Sequence, residues 1–106
     1  MTEFAAQFQD YLIHTKNASE NTVASYMRDI RQFIAYLSEI SAPKLSDVRH
    51  SQICDYVSWM QNAGKSPATV SRSVASLKNF FAFAILRGVC TQNPVLPVII
   101  YRSTSI

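Results

Sequence analysis

The sequence predicts an all-α domain, and three observations predict it. Apolar residues recur at three- and four-residue spacing along most of the chain, the period of one face of a helix. Helix-starting chemistry, Ser19 and Ser66-Pro67, stands immediately before the two longest such stretches. Only two glycines and four prolines occur in 106 residues, which argues against loop-rich and all-β repeat architectures. At 48% hydrophobic and 16% charged residues, the chain can bury one core of single-domain size.

The elements follow in order. A first helix is expected over Thr2 to Lys16, where Phe4, Phe8, Tyr11, Leu12 and Thr15 share a face. Ser19 then caps a second helix, with Glu20 in its positive first turn. The apolar stripe of this helix is Val23, Tyr26, Met27, Ile30, Phe33, Ile34 and Leu37, and it should end near Ser41, before Pro43. Ala42 to His50 reads as a connection with a short turn at Leu45 to Val48. A third helix is expected after Ser51, carrying Ile53, Tyr56, Val57 and Met60, with Gly64 as its left-handed stop. Ser66 caps the fourth helix and Pro67 opens it, at a position where the missing amide costs nothing. Its apolar residues are Val70, Val74, Leu77, Phe80, Phe81, Ala84 and Ile85, and it stops at Gly88. The expected architecture is a small bundle of four helices, five if the short turn counts, built as two helical hairpins packed across each other. Residues 1–94 form this domain; residues 95–106, with β-branched side chains and no helical period, read as a linker or arm.

Several function classes are excluded at this level. No apolar run approaches the roughly 18 residues of a membrane span; the longest, Phe80 to Leu86, has seven. The opening MTEFAAQFQD has no basic stretch before an apolar one, so no secretory signal is expected and a cytoplasmic location is the default. His14 and His50 sit far apart in sequence, so no metal site and no cofactor are expected. Cys54 reads as a small packing residue. Gly64 and Gly88 stand alone, which leaves no phosphate-cradling loop. No nucleophile, base and orienting group assemble, so no catalytic residue is assigned and the chain is not expected to be an enzyme.

The charge distribution points elsewhere. Up to Asp55 there are five Lys/Arg against seven Asp/Glu; from Tyr56 onward there are five Lys/Arg and no acid. Such asymmetry suits a polyanionic partner. Winding the second helix at about 100° per residue places Asn21, Ser25, Arg28 and Gln32 opposite its apolar stripe. The same construction on the fourth helix places Arg72, Ser76 and Asn79 opposite the core, with Thr69 and Ser73 on a shoulder. Lys16 and Lys65 stand just before these two helices. Helix N-termini and hydroxyls hold phosphates, while Arg, Asn and Gln reach base edges. An ordinary solvated face has the same pattern. Phe80 to Leu86 is apolar nearly all round, with Phe83 and Leu86 on the face that Arg72 and Asn79 occupy earlier. It therefore needs cover on both sides, from the arm at Val95 to Tyr101 or from another domain or subunit.

Ser19-Glu20-Asn21-Thr22-Val23, then Tyr26, Asp29-Ile30 and Phe33, resembles the "ENT-L-x-x-Y-x-x-D-L-x-x-F" opening of tyrosine recombinases. Ile53 with Tyr56-Val57 resembles the next helix of that family. Pro67 to Val70, Arg72, Leu77 to Phe81, Gly88 and Asn93-Pro94 resemble its "T-I-x-R-x-x-S-A-L-R-x-F-F…G…NP" stretch. The likeness covers about residues 3–94. It implies the N-terminal core-binding, SAM-like domain of phage integrases and Xer-type recombinases. In that family this domain grips one face of double-stranded DNA, and a C-terminal catalytic domain carrying a tyrosine nucleophile closes the clamp. The catalytic set is missing here, so Tyr101 is taken as linker and no strand cleavage is expected from these residues.

Carried over residue by residue, the resemblance puts Asn21, Thr22, Ser25 and Arg28 of the second helix on the DNA side, and Thr69, Arg72, Ser73 and Ser76 of the fourth. Lys16, Lys65 and the capping Ser66 join them as expected DNA-binding residues, with Arg72 the principal base contact. Asp29 is expected to be an intramolecular hydrogen-bond partner. Ala24 and Ala68 stand where relatives can carry basic contacts, which implies modest phosphate affinity. The expected partners are double-stranded DNA, the catalytic domain and other recombinase subunits, with no membrane. An alternative role is subunit assembly through Phe80 to Leu86 and the arm. On the DNA reading, Arg72→Ala should weaken binding without changing the melting temperature.

Overall fold

The computed structural model describes residues 2–40 and 44–95. Four α-helices and one 3-10 turn follow in order: α1 Thr2–His14, α2 Glu20–Glu39, the turn Leu45–Asp47, α3 His50–Asn62 and α4 Pro67–Leu86. No strand occurs among the described residues. The expected all-α, two-hairpin architecture is the one observed, and α2 packed on α4 joins the α1/α2 hairpin to the α3/α4 hairpin. Expected ends at Ser41 and in the arm after Val95 lie outside the described residues.

Local chemistry explains the boundaries. Helix α1 ends two residues before Lys16, because Asn17 takes a left-handed conformation (φ 52°) and turns the chain so that the Ala18 amide bonds the Leu12 carbonyl at 2.9 Å. Asparagine is among the few non-glycine residues that tolerate that conformation. Helices α3 and α4 end in the same way. Gly64 (φ 87°) bonds the Gln61 carbonyl while Lys65 bonds that of Met60; Gly88 (φ 76°) bonds that of Ile85 while Val89 bonds that of Ala84. Each is a Schellman stop, which satisfies two carbonyls that a helix end otherwise leaves open.

The core forms where the apolar stripes meet. Phe8 and Leu12 of α1, Met27, Ile30, Phe33 and Leu37 of α2, Ile53, Tyr56 and Met60 of α3, and Val70, Leu77, Phe80, Phe81 and Ala84 of α4 are all buried. Leu45 and Val48 of the connection seal one end.

Two expectations need correction. Phe83 is covered by α1, with its ring centroid 5.2 Å from Phe4, 5.4 Å from Phe8 and 4.7 Å from Tyr11. A helix within the domain, rather than the arm or another domain or subunit, therefore covers Phe83, while Leu86 stays 68% exposed. Cys54 is exposed rather than packed, its sulfur 3.5 Å from His50 Nε2; Cys90 is the buried thiol.

The solvent stripe of α4 also differs from the one expected. The exposed positions of α4 are Pro67, Ala68, Arg72, Ala75, Lys78, Asn79, Ala82, Ile85 and Leu86, with Arg72 at one edge of the stripe. That stripe is turned by about 60° from one centred on Arg72, at 100° per residue. The reason is that α4 is buried over a wide arc: Ser73, Ser76 and Phe81 meet Asp29 and Phe33 of α2, Phe80 and Phe83 meet α1, and α3 packs on the same helix. A wheel built on one stripe misplaces the centre of the free face.

Candidate nucleic-acid interface

Both long helices begin with the same device. The Thr22 amide donates to Ser19 Oγ at 3.2 Å, and Ser19 Oγ donates to Thr22 Oγ1 at 2.9 Å. At α4 the Thr69 amide donates to Ser66 Oγ at 3.2 Å, and Ser66 Oγ donates to Thr69 Oγ1 at 2.9 Å. A serine cap satisfies one of the unpaired amides of a first turn. Because the threonine oxygen accepts from serine, the threonine hydroxyl proton remains free to point outward.

Between α2 and α4 runs a shallow groove of 320 Å³, lined by Asn21, Thr22, Ser25, Tyr26, Arg72, Ala75 and Ser76. The two helices pass in opposing senses along it: Tyr26 receives a hydrogen bond from Asn79 Nδ2 at 3.0 Å, and Asp29 meets Arg72. Of the residues expected from the sequence, the groove unites Asn21, Thr22, Ser25, Arg72 and Ser76. Lys16 borders an adjoining hollow of 220 Å³ that shares Tyr26, with its ammonium 5.8 Å from the Tyr11 ring centroid. Lys65, Ser66 and Thr69 form the start of α4, and Arg28 is exposed on α2; none of these four lines the groove.

Beneath the groove lies a buried carboxylate. Asp29 is 1% exposed, in mid-α2. Arg72 donates from Nη2 to Asp29 Oδ1 at 2.9 Å and from Nε to Oδ2 at 3.2 Å. Ser73 Oγ donates to Oδ1 at 3.3 Å and Ser76 Oγ to Oδ2 at 2.8 Å. Four donors thus converge on two oxygens, the condition under which a buried charge is tolerated. The hydrogen bonds and the charge of Asp29 push the Arg72 pKa above its ordinary value.

This network corrects three site expectations. Ser73 and Ser76 are 1% and 4% exposed, and their hydroxyls are spent on Asp29 rather than offered to a ligand. Arg72 is not a free surface arginine: one edge of its guanidinium is bound to Asp29 and the side chain is 45% exposed. The intramolecular role expected of Asp29 is present, and its reach over three α4 side chains exceeds what the sequence suggested. Tyr26 and Ala75, the apolar floor of the groove, were not foreseen. The signal for Tyr26 was its place at the edge of the α2 stripe, one turn before Ile30.

A second hollow of 800 Å³, lined by Ser46 to Gln52 and Thr91 to Pro94, holds none of the expected residues. There His50 Nδ1 lies 3.0 Å from the Pro94 carbonyl oxygen. Among the described residues no three His, Cys, Asp or Glu side chains gather as a metal-binding set, and no helix is long and apolar enough to cross a membrane.

A bundle of two hairpins with a groove between its long helices defines a small all-α domain, and comparison with known proteins gives its family. Residues 5–88 match the family described as phage integrase, N-terminal SAM-like domain, and the chain belongs to that family. It is similar to a tyrosine recombinase of Pseudothermotoga lettingae, 31% identical over 97 residues, covering 90% of this chain and 34% of the relative. It is also similar to tyrosine recombinase XerD of Listeria monocytogenes (29% over 101 residues; 92% and 33%) and to tyrosine recombinase XerC of Roseiflexus (30% over 94 residues; 89% and 30%). The chain thus spans about a third of the length of these relatives. No solved structure gives a significant match.

Proposed function

We propose that this chain is the DNA-gripping module of a tyrosine-type recombinase, holding duplex DNA while a separate catalytic domain cuts and rejoins it. The observation that carries this reading is the α2/α4 groove, where Asn21, Thr22, Ser25 and Arg72 stand around an apolar floor of Tyr26 and Ala75. The Thr22 hydroxyl and the Glu20 and Asn21 amides of α2 suit a phosphate oxygen, as donors at the positive end of a helix beside the Thr22 amide that Ser19 takes. Arg72 offers its exposed guanidinium edge, and Asn21 can donate and accept at once, as reading a base edge requires. Lys16, Arg28 and Lys65 are exposed cations around this surface and act on phosphates without reading sequence. Thr69 and Ser66 repeat the Thr22 and Ser19 device at the start of α4, giving the backbone a second point of contact.

Affinity for a short DNA duplex, measured by fluorescence anisotropy over a range of salt, tests the proposal. Neutralising four phosphates, by Lys16, Arg28, Lys65 and Arg72, gives a slope of log affinity on log salt near about −3.6. Binding should be weak, because a single module lacks the effective-concentration gain of two linked ones. Absence of binding at low salt, or a flat salt dependence, overturns it.

One observation favours a second role in subunit assembly. Ile85, Leu86 and Val89 are 40%, 68% and 39% exposed together at the end of α4. Phe83 takes no part, being buried under α1. Sedimentation without DNA separates the roles: a concentration-dependent dimer abolished by Leu86→Glu supports assembly, and a monomer excludes it.

A further inference from the structure

We propose that Asp29 is a positioning residue for DNA: it holds the Arg72 guanidinium in the orientation that meets a backbone phosphate diester in the α2/α4 groove. This inference rests on the DNA-binding reading and adds to it a residue that never touches the ligand.

The argument begins with the donor count. A guanidinium carries five N–H groups in one plane, and Asp29 takes two of them, from Nε and Nη2. Three remain: one from each Nη at the end of the fork, and the second of Nη1 on the side away from the carboxylate. Arg72 lines the groove and its side chain is 45% exposed, so these remaining donors are the ones available there. With two points of attachment, the guanidinium plane can neither rotate nor swing. Asp29 is itself immobile, because Ser73 and Ser76 hold its two oxygens from the same helix that carries Arg72. A free surface arginine loses several rotamers when it engages a phosphate; a held one has lost them on folding.

Simple electrostatics makes the opposite prediction, which gives the inference its test. Asp29 is a negative charge beneath the groove. If charge alone mattered, Asp29→Asn would make the chain more positive, tighten DNA binding and steepen its salt dependence. If Asp29 acts by positioning, the same substitution loosens Arg72 and removes one fixed phosphate contact. Affinity then falls by about three- to tenfold, and the salt slope becomes shallower by about 0.9. The effect must also run through Arg72. In an Arg72→Lys background, where the fork is gone, Asp29→Asn should change affinity by less than about twofold.

The experiment is duplex binding by the 106-residue chain, its Asp29→Asn and Arg72→Lys variants and the double variant, each checked for helical content by circular dichroism. A wild-type chain that does not bind DNA defeats the DNA-binding reading. A wild-type chain that binds, with a folded Asp29→Asn variant that binds equally or more tightly, defeats the positioning inference alone. If Asp29→Asn does not fold, 15N NMR of the unaltered chain decides. The Arg72 Nε–H resonance should be slow to exchange before DNA is added and should shift during titration with duplex. Rapid exchange in the free chain, or no shift on DNA binding, overturns the inference.

Discussion

Arg72 spans both carboxylate oxygens of Asp29 from a position forty-three residues further along the chain. That relationship ties α4 to α2 and makes one side chain serve the fold and the groove together. The earlier expectation that Arg72→Ala leaves stability untouched is therefore replaced. Removing Arg72 strips two of four donors from a carboxylate that is 1% exposed. The expected loss is about 1–3 kcal/mol, below that of a fully buried pair because Arg72 reaches water. Urea denaturation of Arg72→Ala beside Arg28→Ala checks this: the first midpoint should fall and the second should not move.

Phe83→Ala should be among the most damaging substitutions, costing about 3–5 kcal/mol, because the ring fills the seam between α1 and α4. Leu86→Ala, three residues on and exposed, should leave the thermal midpoint unchanged. Equal effects would mean that α1 does not cover this end of α4.

Tyr56 is wholly buried, and its hydroxyl has no hydrogen-bond partner among the described residues. Tyr56→Phe removes an unsatisfied polar atom, so stability at neutral pH should hold or rise by up to about 1 kcal/mol. Burial first, then the nearby Asp29 and Tyr36, raise the Tyr56 pKa well above its ordinary range. The unfolded phenol ionises near about pH 10 while the folded one stays protonated. The stability this represents is complete below that pH and is lost as pH rises further. Burial raises the Cys90 thiol in the same direction, and its contribution falls away from about pH 8.5 upward. Chemical denaturation between pH 8 and 11 should therefore show falling stability that Tyr56→Phe makes shallower above pH 10.

Ser19→Ala and Ser66→Ala should each cost about 1 kcal/mol, because each exposes a first-turn amide and frees a threonine hydroxyl. Serine-to-glycine at either site should cost a few tenths of that. Thermal denaturation of the four variants checks the ranking.

Helix identity was legible because its causes lie within a few residues. Ser19 and Ser66 reach amides three positions on, Gly64 and Gly88 reach carbonyls three positions back, and the Val23-to-Leu37 stripe repeats with the turn of a helix. The groove was half legible: Asn21 and Ser25 lie opposite a single clean stripe on α2, Thr22 came with the family motif, and all three line the groove. On α4 the same reasoning misassigned Ser73 and Ser76. This helix is buried on two sides, and a small hydroxyl on its wheel looks alike whether it faces water or a carboxylate.

Caps and periodicity were thus sufficient for four helices and for the stops at Gly64 and Gly88, while the motifs at 19–33 and 67–94 carried the family resemblance. Which side of α4 meets water, what covers Phe83 and where Arg72 points were set when α1 and α2 docked on α4. Those outcomes depend on pairings such as Asp29 with Arg72 and Tyr11 with Phe83, between residues far apart in the chain. Helical spacing reports neighbours within one or two turns, so partners on another helix leave no mark in it.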